Sequence, residues 1–419
     1  MAKPIRAVAT VAIAALALAA CGGGSSSGSG GDGTKLIISS DLPLQGSSKD
    51  ASEATNNAIK LYLKQQNNKA GKYTVEFKAY DDSTAAKGQW DDATCKQNAA
   101  AHVANANEVA VMGTYNSGCA KLEVPVLNQD PKGPMLMVSH ANTNPGLTKT
   151  WDPGEPEKFF PSGKRNYARV VTTDDFQGAA AADFLAKDKG IKSVYVLNDN
   201  QTYGQGVARS FVERAKKNGV NVLGNDAWDA KAANYPAVFQ GISAKKPDAI
   251  YIAGIYDNNG GQLVKDKVAV LGDNTKMPMM GPDGFTGYPD LNKLPEAQGM
   301  YLTFAGLSID QLLSKGGPAK QLLDDYQKEY GKVLETNYAL YAVAAVQVIL
   351  AAIEKSEGTR KSVRDAVFEG EGITITADQS ILGKEIRIDP ASGDTNSKDI
   401  TVEQVKDKKE VSLKAQLVE

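Results

Sequence analysis

From Lys35 onward, short runs rich in aliphatic and β-branched residues alternate with amphipathic stretches, and this alternation constrains the fold more than any other feature. "KLIIS", "YTVEFKAY", "EVAVM" and "PMLMVS" read as strands. Between them lie "ASEATNNAIKLYLKQQNN", "QWDDATCKQNAAAHVAN" and "SGCAKLEVPVLNQ", whose apolar residues recur every three or four positions, as on one face of a helix. After Pro161 the pattern restarts with "YARVV", "FQGAAAADFLAKD" and "SVYVLND", and it continues through "YGQGVARSFVERAKKN", "DAIYIAG" and "GGQLVKDKVAVL". Alternation at this spacing predicts α/β architecture, parallel sheets wound with helices on both faces. A chain of 419 residues has room for two such units. Late in the sequence the order changes. "PAKQLLDDYQKEYG", "YALYAVAAVQVILAAIEK" and "RKSVRDAVFEG" are consecutive helices, the middle one apolar almost all round and therefore expected between layers. "KEIRID" and "DITVEQV" follow as closing strands. Helices arriving after two complete α/β units cannot all belong to one of them, so the chain is expected to cross between lobes more than once.

The N-terminus reads as an export segment. Lys3 and Arg6 precede the apolar run "AVATVAIAALALAA", too short for a comfortable membrane span, and "LAAC" at 18–21 follows directly. This spacing resembles a bacterial lipobox, in which Cys21 would receive a lipid and become the new N-terminus; an ordinary secretory signal cleaved elsewhere is the alternative. "GGGSSSGSGGDG" then behaves as a tether with a reach of roughly 20 Å. The expected location is extracytoplasmic, anchored to the cell membrane by lipid on Cys21. In that oxidising setting Cys95 and Cys119 remain as an even pair. A disulfide between them closes a loop of about 25 residues, worth roughly 3 kcal/mol in the chain-entropy account, whereas two separate buried thiols are the alternative. Without a CxxC spacing, and with only His102 and His140 as histidines, neither a metal site nor a catalytic triad is expected. A net charge of −2 gives no electrostatic footprint for nucleic acid.

In parallel α/β sheets, ligands bind outside the carboxyl ends of the strands. "EVAVMGTYNSGCA" at 108–120 is such an end, an apolar run opening into hydrogen-bonding residues. Ser117 is expected as the N-cap of the next helix, where it either caps that helix alone or holds a carboxylate with the free N–H groups. A phosphate loop is excluded, because Cys119 and Ala120 stand where Lys and Ser/Thr would be required. "SHANTNPGLT" at 139–148 is either a plain turn or a polar cradle in which Thr143 and nearby backbone hold a ligand head. "GPDGF" at 281–285 is a turn signal whose Asp283 could receive an ammonium group. Tyr203 and Tyr256 sit at strand-to-helix turns of the second unit, either as structural tyrosines or as covers for a small ligand. "VMGTYNSGCA" and "IAGIYDNNGGQ" echo each other: strand, Gly, one residue, Tyr, Asn or Asp, helix start. Ser139 and His140 are adjacent but lack a third partner, and His102, mid-helix among alanines, reads as a surface or satisfied residue; no enzymatic activity is expected.

With "YDDS", "GTYNSG", "VSHANTNPGLT", "NDNQTYGQGVARS" and "GPDG" in view, the chain resembles bacterial extracytoplasmic binding proteins of the leucine/isoleucine/valine type. The resemblance covers nearly the whole mature chain. It implies a type I periplasmic-binding-protein fold, two doubly wound lobes joined by three hinge crossings: lobe 1 from 35–170 plus 304–380, lobe 2 from 171–303 plus 381–419, after a signal peptide at 1–20 and a tether at 21–34. It implies a monomer that encloses a small amino acid-like zwitterion, requires no cofactor, and delivers its ligand to a membrane ABC permease with its ATPase. A ligand sensor docking on a membrane receptor is the alternative. By position, Ser117 matches a serine that binds the ligand carboxylate. Asn142 and Thr143 match residues whose backbone and hydroxyl hold the α-carboxylate and α-amino groups. Asp283 stands where a glutamate pairs with the ammonium, and Tyr203 and Tyr256 match aromatics that close over the ligand. The chain departs from this pattern at Ala51, in place of a pocket aromatic, at His140, in place of a small residue or proline, and at Asp283, one methylene short. Cys119 lies two residues past the family position, which Asn116 occupies. Ser47, Ser48 or Lys49 could then meet a polar ligand side chain.

Overall fold

Strands Glu108–Gly113 and Ala249–Ala253 are buried along their whole length, as strands with helices on both faces must be. They belong to two separate sheets of a computed structural model that describes residues 34–416. The expected export segment, Cys21 and residues 21–33 of the expected tether lie outside the described residues.

The first sheet runs Lys69–Ala70, Tyr73–Asp81, Lys35–Leu42, Glu108–Gly113, Leu136–Ser139, Tyr167–Arg169, parallel throughout except for the short first strand. The second runs Asn221–Ala227, Ser193–Asn198, Ala249–Ala253, Met279–Gly281, Tyr301–Phe304, then Ile400–Lys406 and Lys409–Gln416, the last two antiparallel. In both sheets the second long strand of the chain lies outside the first, so the order reverses between Lys35–Leu42 and Glu108–Gly113, and again between Ser193–Asn198 and Ala249–Ala253. These reversals are the topological switch points where ligands of open α/β sheets bind.

The chain passes between the two sheets three times: after Arg169, between Phe304 and Asn337, and between Arg387 and Ile400. Helix Asn337–Glu354 is apolar enough to cross a membrane by composition alone, yet 89% of it is buried. Helix Lys49–Gln65, helix Arg360–Phe368 and the first sheet cover it. "KEIRID" departs from expectation. Only Ile386–Arg387 is a strand, and it pairs with Thr374–Ile375 outside both main sheets, because Pro390 and the turn closed by Gly393 N–H on Asp389 C=O end it. Cys95 and Cys119 form the disulfide, tying helix Asp92–Ala104 to helix Ser117–Asn128.

Candidate functional site

The carboxyl ends of the two sheets meet in a layer whose polar groups are drawn from both. On the second sheet's side, Asp283 begins a one-turn 3-10 helix after strand Met279–Gly281 and is 2% exposed. It accepts hydrogen bonds from the Tyr203 and Tyr338 hydroxyls and, at 2.9 Å, from Gln177 Nε2. Tyr203 comes from helix Thr202–Lys217, Gln177 from helix Asp174–Asp183, and Tyr338 from the long helix that packs on the first sheet. Gln177 is fixed by its other end, where Oε1 accepts from Asp283 N at 2.8 Å and from Thr303 Oγ1 at 2.9 Å. Burial raises the Asp283 carboxyl above its ordinary value, and the phenol and amide hydrogen bonds only partly oppose this. Burial likewise pushes Tyr203 and Tyr338 well up, with the Asp283 charge adding to it, so both phenols keep their protons and act as donors.

Two more carboxylates share this layer, Asp174 buried and Asp257 half-buried. Asp174 Oδ1 accepts from Gln177 at 3.3 Å, while Oδ2 is buried with no hydrogen-bond partner. Burial and then the Asp283 charge raise its carboxyl well above the ordinary value. Asp257 accepts from Ser48 N at 3.0 Å, Ser48 Oγ at 2.8 Å and Tyr288 OH at 2.7 Å. Among the described residues, no ion pair reaches Asp174, Asp257 or Asp283. Arg169, the nearest candidate, is committed to Asp394, to Thr148 and to the carbonyls of Asn142 and Asn144.

On the first sheet's side, Ser117 is not the N-cap. Asn116 holds that position with extended backbone, its carbonyl accepting from Ala120 N at 3.2 Å, and Ser117 is the first helical residue. The chain must still be extended at Asn116 to leave the strand, which delays the helix by one residue. Ser117 Oγ accepts from Asn144 N at 3.3 Å, so its own proton remains free to donate. Thr143, 1% exposed, gives its carbonyl to Asp174 N at 2.9 Å and thereby docks beside the second-sheet acids. Asn142 is framework. Its amide donates to the Thr114 and Tyr115 carbonyls at 2.8 and 3.1 Å, its Oδ1 accepts from Tyr167, and its backbone N–H and C=O are taken by Ser139 and Arg169.

Tyr256 meets this layer at its edge, through Tyr288, rather than at Asp283. Its backbone N–H donates to Gly284 C=O, and the half-buried ring lies 4.8 Å from Tyr288, the phenol on Asp257, and 6.1 Å from Phe285. The echo residue Tyr115 is the one that enters, its ring edge-on to Tyr338 at 5.4 Å. His140 stands 5.8 Å from Tyr115 and 5.9 Å from Tyr338, fully buried, with neither ring nitrogen hydrogen-bonded; burial pushes its pKa down to about 3, so the ring is neutral. Asn116 Oδ1 is similarly buried and unpartnered. Asp174, Gln177, Tyr338 and Tyr115 escaped the sequence reading. Asp174 and Gln177, three apart at a helix start after a strand end, carried a legible signal, and the internal echo pointed to Tyr115.

Around this layer the two sides are clasped. Besides Ser48 on Asp257, Gln89 Nε2 donates to Asn258 Oδ1 at 2.6 Å, Trp90 Nε1 to Gln201 Oε1 at 3.2 Å, and Asn144 Nδ2 to Thr202 C=O at 3.2 Å. Ser48 is buried and bonds Asp257, while Ser47 and Lys49 are exposed.

A family model described as periplasmic binding protein matches residues 42–410. A Leu/Ile/Val-binding protein of Rhizobium johnstonii is 27% identical over 280 residues, covering 63% of this chain and 65% of that protein, a little under two thirds of its length. A leucine-specific-binding protein of Salmonella typhimurium is 26% identical over 273 residues, 64% of this chain and 67% of that one. Among solved structures, a leucine-binding protein from Thermotoga maritima superposes with a TM-score of 0.75 at 22% identity, covering 91% of this chain and 99% of that chain. A solute-binding protein of an ABC transporter from Rhodopseudomonas palustris, in complex with p-hydroxybenzoic acid, gives 0.74 at 18% identity, covering 91% and 96%. At these identities the structural likeness carries the fold.

Proposed function

This chain belongs to the periplasmic binding protein family, and we propose that it captures a small amine-bearing solute, an amino acid of the branched-chain or a related type, between its two lobes for an ABC importer. One observation carries the reading. Asp283 is buried between donors from both sides of the layer and has no cation of the chain's own. A carboxylate offers about four acceptor sites. Gln177 and Tyr203 occupy Oδ1 and Tyr338 alone occupies Oδ2, which leaves room for an ammonium N–H. In a closed, water-poor gap that charge pair is far stronger than in water. Across the layer, the Ser117 hydroxyl and the N-terminus of helix Ser117–Asn128 offer donors to the carboxylate of the same zwitterion.

In this reading lobe 1 comprises 35–170 with 304–387 and lobe 2 comprises 171–303 with 400–416, the last crossing lying between Arg387 and Ile400 rather than at the expected 380. Residues 1–20 are a signal peptide, and lipid on Cys21 holds the monomer at the membrane beside its permease and ATPase. Tyr256 supports the wall of the site through the Gly284 loop rather than covering the ligand. A ligand that is only an anion, such as a hydroxybenzoate, would face the buried Asp174 and Asp283 and the half-buried Asp257 with no compensating cation, which argues against it here. Thermal melting with a panel of amino acids, amides and hydroxybenzoates tests the reading, because ligand at a hundredfold Kd stabilises by about 2.7 kcal/mol. A strong shift with at least one amine-bearing compound is expected. A shift with hydroxybenzoates alone would overturn it.

A further inference from the structure

Beneath the wall that carries Ser117, and apart from the ligand layer's donors, lies a second group of chemistry-bearing side chains that solute binding does not use. Asp41, Asp82, His102, Glu108 and Glu123 are all 0% exposed. They come from five places: the end of strand Lys35–Leu42, the residue after strand Tyr73–Asp81, helix Asp92–Ala104, the start of strand Glu108–Gly113, and helix Ser117–Asn128. Two of these carboxyl groups, Asp41 and Glu108, bond the imidazole, and Glu123 lies within reach of it, with Asp82 beside the disulfide. Even a fully protonated His102 leaves this buried cluster short of positive charge, and uncompensated buried charge is costly.

The geometry around His102 is ordered in a particular way. Its Nδ1 bonds Glu108 Oε1, which Ser39 Oγ also supports, while Asn105 Nδ2 donates to Glu108 Oε2 at 2.9 Å. Glu108 thus fixes the ring through Nδ1. The other nitrogen, Nε2, faces Asp41 Oδ2 at 3.3 Å, and Asn98 Nδ2 steadies Asp41 Oδ1 at 3.0 Å. A carboxylate behind a histidine whose far nitrogen points at further carboxylates is the arrangement that orients histidine ligands to metal ions. One ligand atom each from Asp41, His102 and Glu123 lie within 4.8 Å of one another. That span suits an ion with bonds of roughly 2.0–2.4 Å.

An independent observation points into the same space. Glu123 Oε2 and both Asp82 carboxylate oxygens are buried with no hydrogen-bond partner. Glu123 Oε1 lies 3.2 Å from Cys119 Sγ, which is disulfide-bonded and has no proton to give. Glu123 and Asp41 are also within hydrogen-bonding range of each other, so either a shared proton or a cation must hold the two carboxyl groups together. The Cys95 and Cys119 sulfurs near Asp82 are not thiolates, so the donor set is oxygen and imidazole nitrogen. Mixed carboxylate and imidazole donors suit first-row divalent ions such as zinc or manganese better than calcium or magnesium.

We propose that Asp41, His102 and Glu123, with Asp82 beside them and Glu108 orienting His102, form a structural site for one first-row divalent metal ion that braces the ligand-carrying wall of lobe 1. The ion would join the first and second long strands of the sheet to the two helices that the disulfide already ties. The proposal is independent of which solute the interlobe layer binds.

The test uses the oxidised protein without reductant, stripped with chelator, equilibrated separately with ZnCl2, MnCl2, CaCl2 or MgCl2, and passed through gel filtration before elemental analysis. Wild type is expected to retain about one equivalent of zinc or manganese and to melt higher with it. Glu123→Gln is expected to retain none, and Glu108→Gln to bind roughly 10–100-fold more weakly, as loss of an orienting carboxylate does. Should these variants not fold, wild-type crystals measured at the metal absorption edge decide: an anomalous peak among Asp41, His102 and Glu123 supports the site. No retention by wild type, retention of calcium or magnesium in preference, undiminished retention by folded Glu123→Gln, or a peak elsewhere would each overturn the proposal, leaving shared protons to hold the cluster.

Discussion

Asp130 and Asp283 are both buried, yet the protein treats them in opposite ways. Asp130 lies under the first sheet against Arg360, whose guanidinium also bonds the backbone carbonyls of His102, Val103, Asn105 and Glu108. Asp183 has the same kind of support. Burial pushes its carboxyl up, but hydrogen bonds from Arg214, Asn218 and Lys187 outweigh that and hold it at about 2. Asp283 receives only phenols and an amide, and its carboxyl stays above the ordinary value. Asp130 and Asp183 are compensated by arginine and lysine from within the chain, whereas Asp283 is met by neutral donors alone. The difference marks where a cation from outside is expected to enter.

The comparison can be broken most violently on the structural side. Arg360→Met would strand Asp130 as an unpaired buried charge and leave several carbonyls without a donor, with an expected loss of about 3–5 kcal/mol of stability. Urea unfolding checks this, and a loss under 1 kcal/mol would show that the pair is not structural. The matched change between the lobes is Asp283→Asn. It is expected to leave the ligand-free protein within about 1 kcal/mol of wild type, because no cation is stranded. Binding of an amine-bearing ligand should weaken by about 2–5 kcal/mol in calorimetry. A large loss of stability with binding intact would reverse the roles assigned to the two acids.

His140 sharpens the contrast through pH. Its folded pKa of about 3 lies below the ordinary 6.5, so below pH 6.5 the unfolded chain takes up a proton that the buried ring refuses. Its contribution is fully present above pH 6.5 and is lost as pH falls toward 3, with a slope approaching ~1.4 kcal/mol per pH unit. Asp174 and Asp283 face the same layer and work in the opposite sense: their raised carboxyls hold protons in the folded state, which favours folding as pH falls. The His140 part therefore shows as the difference in urea-unfolding slope between wild type and His140→Asn from pH 6.5 to 5; equal slopes would mean that the ring is not held neutral. The smallest expected effect is at the rim. Ser48→Ala removes one hydroxyl from Asp257, at a cost of about 1 kcal/mol. It should appear as faster ligand release in stopped-flow mixing, and an unchanged off-rate would remove Ser48 from the clasp.

The architecture was legible because a buried parallel strand leaves an unmistakable apolar run, and "EVAVM" and "AIYIA" are buried where the sequence placed them. The strand-end motifs located the layer for the same reason, since polar residues directly after such runs have few other uses. The sequence left the direction of each side chain open. Tyr256 and Tyr115 occupy echoing turns, but only the second turns its ring inward toward Tyr338, a choice made by how each turn packs. Asn142 carries the same type of side chain in either role, and the Thr114 and Tyr115 carbonyls that consume its amide come from a loop some 28 residues earlier. Two histidines in the whole chain argued against metal chemistry. The count could not register that the fold gathers Asp41, Glu108 and Glu123 around one of them, which is what the proposed ion site rests on.

The central claim is that the interlobe acids lack a cation because the ligand brings it. Calorimetric titration with the strongest amine-bearing ligand from the melting panel, and with its des-amino analogue, tests this directly on wild type and Asp283→Asn. Wild type is expected to prefer the amine at least about 30-fold, matching a charge-pair loss of at least ~2 kcal/mol, and Asp283→Asn to abolish most of that preference. Equal affinity of wild type for the amine and its des-amino analogue would contradict it.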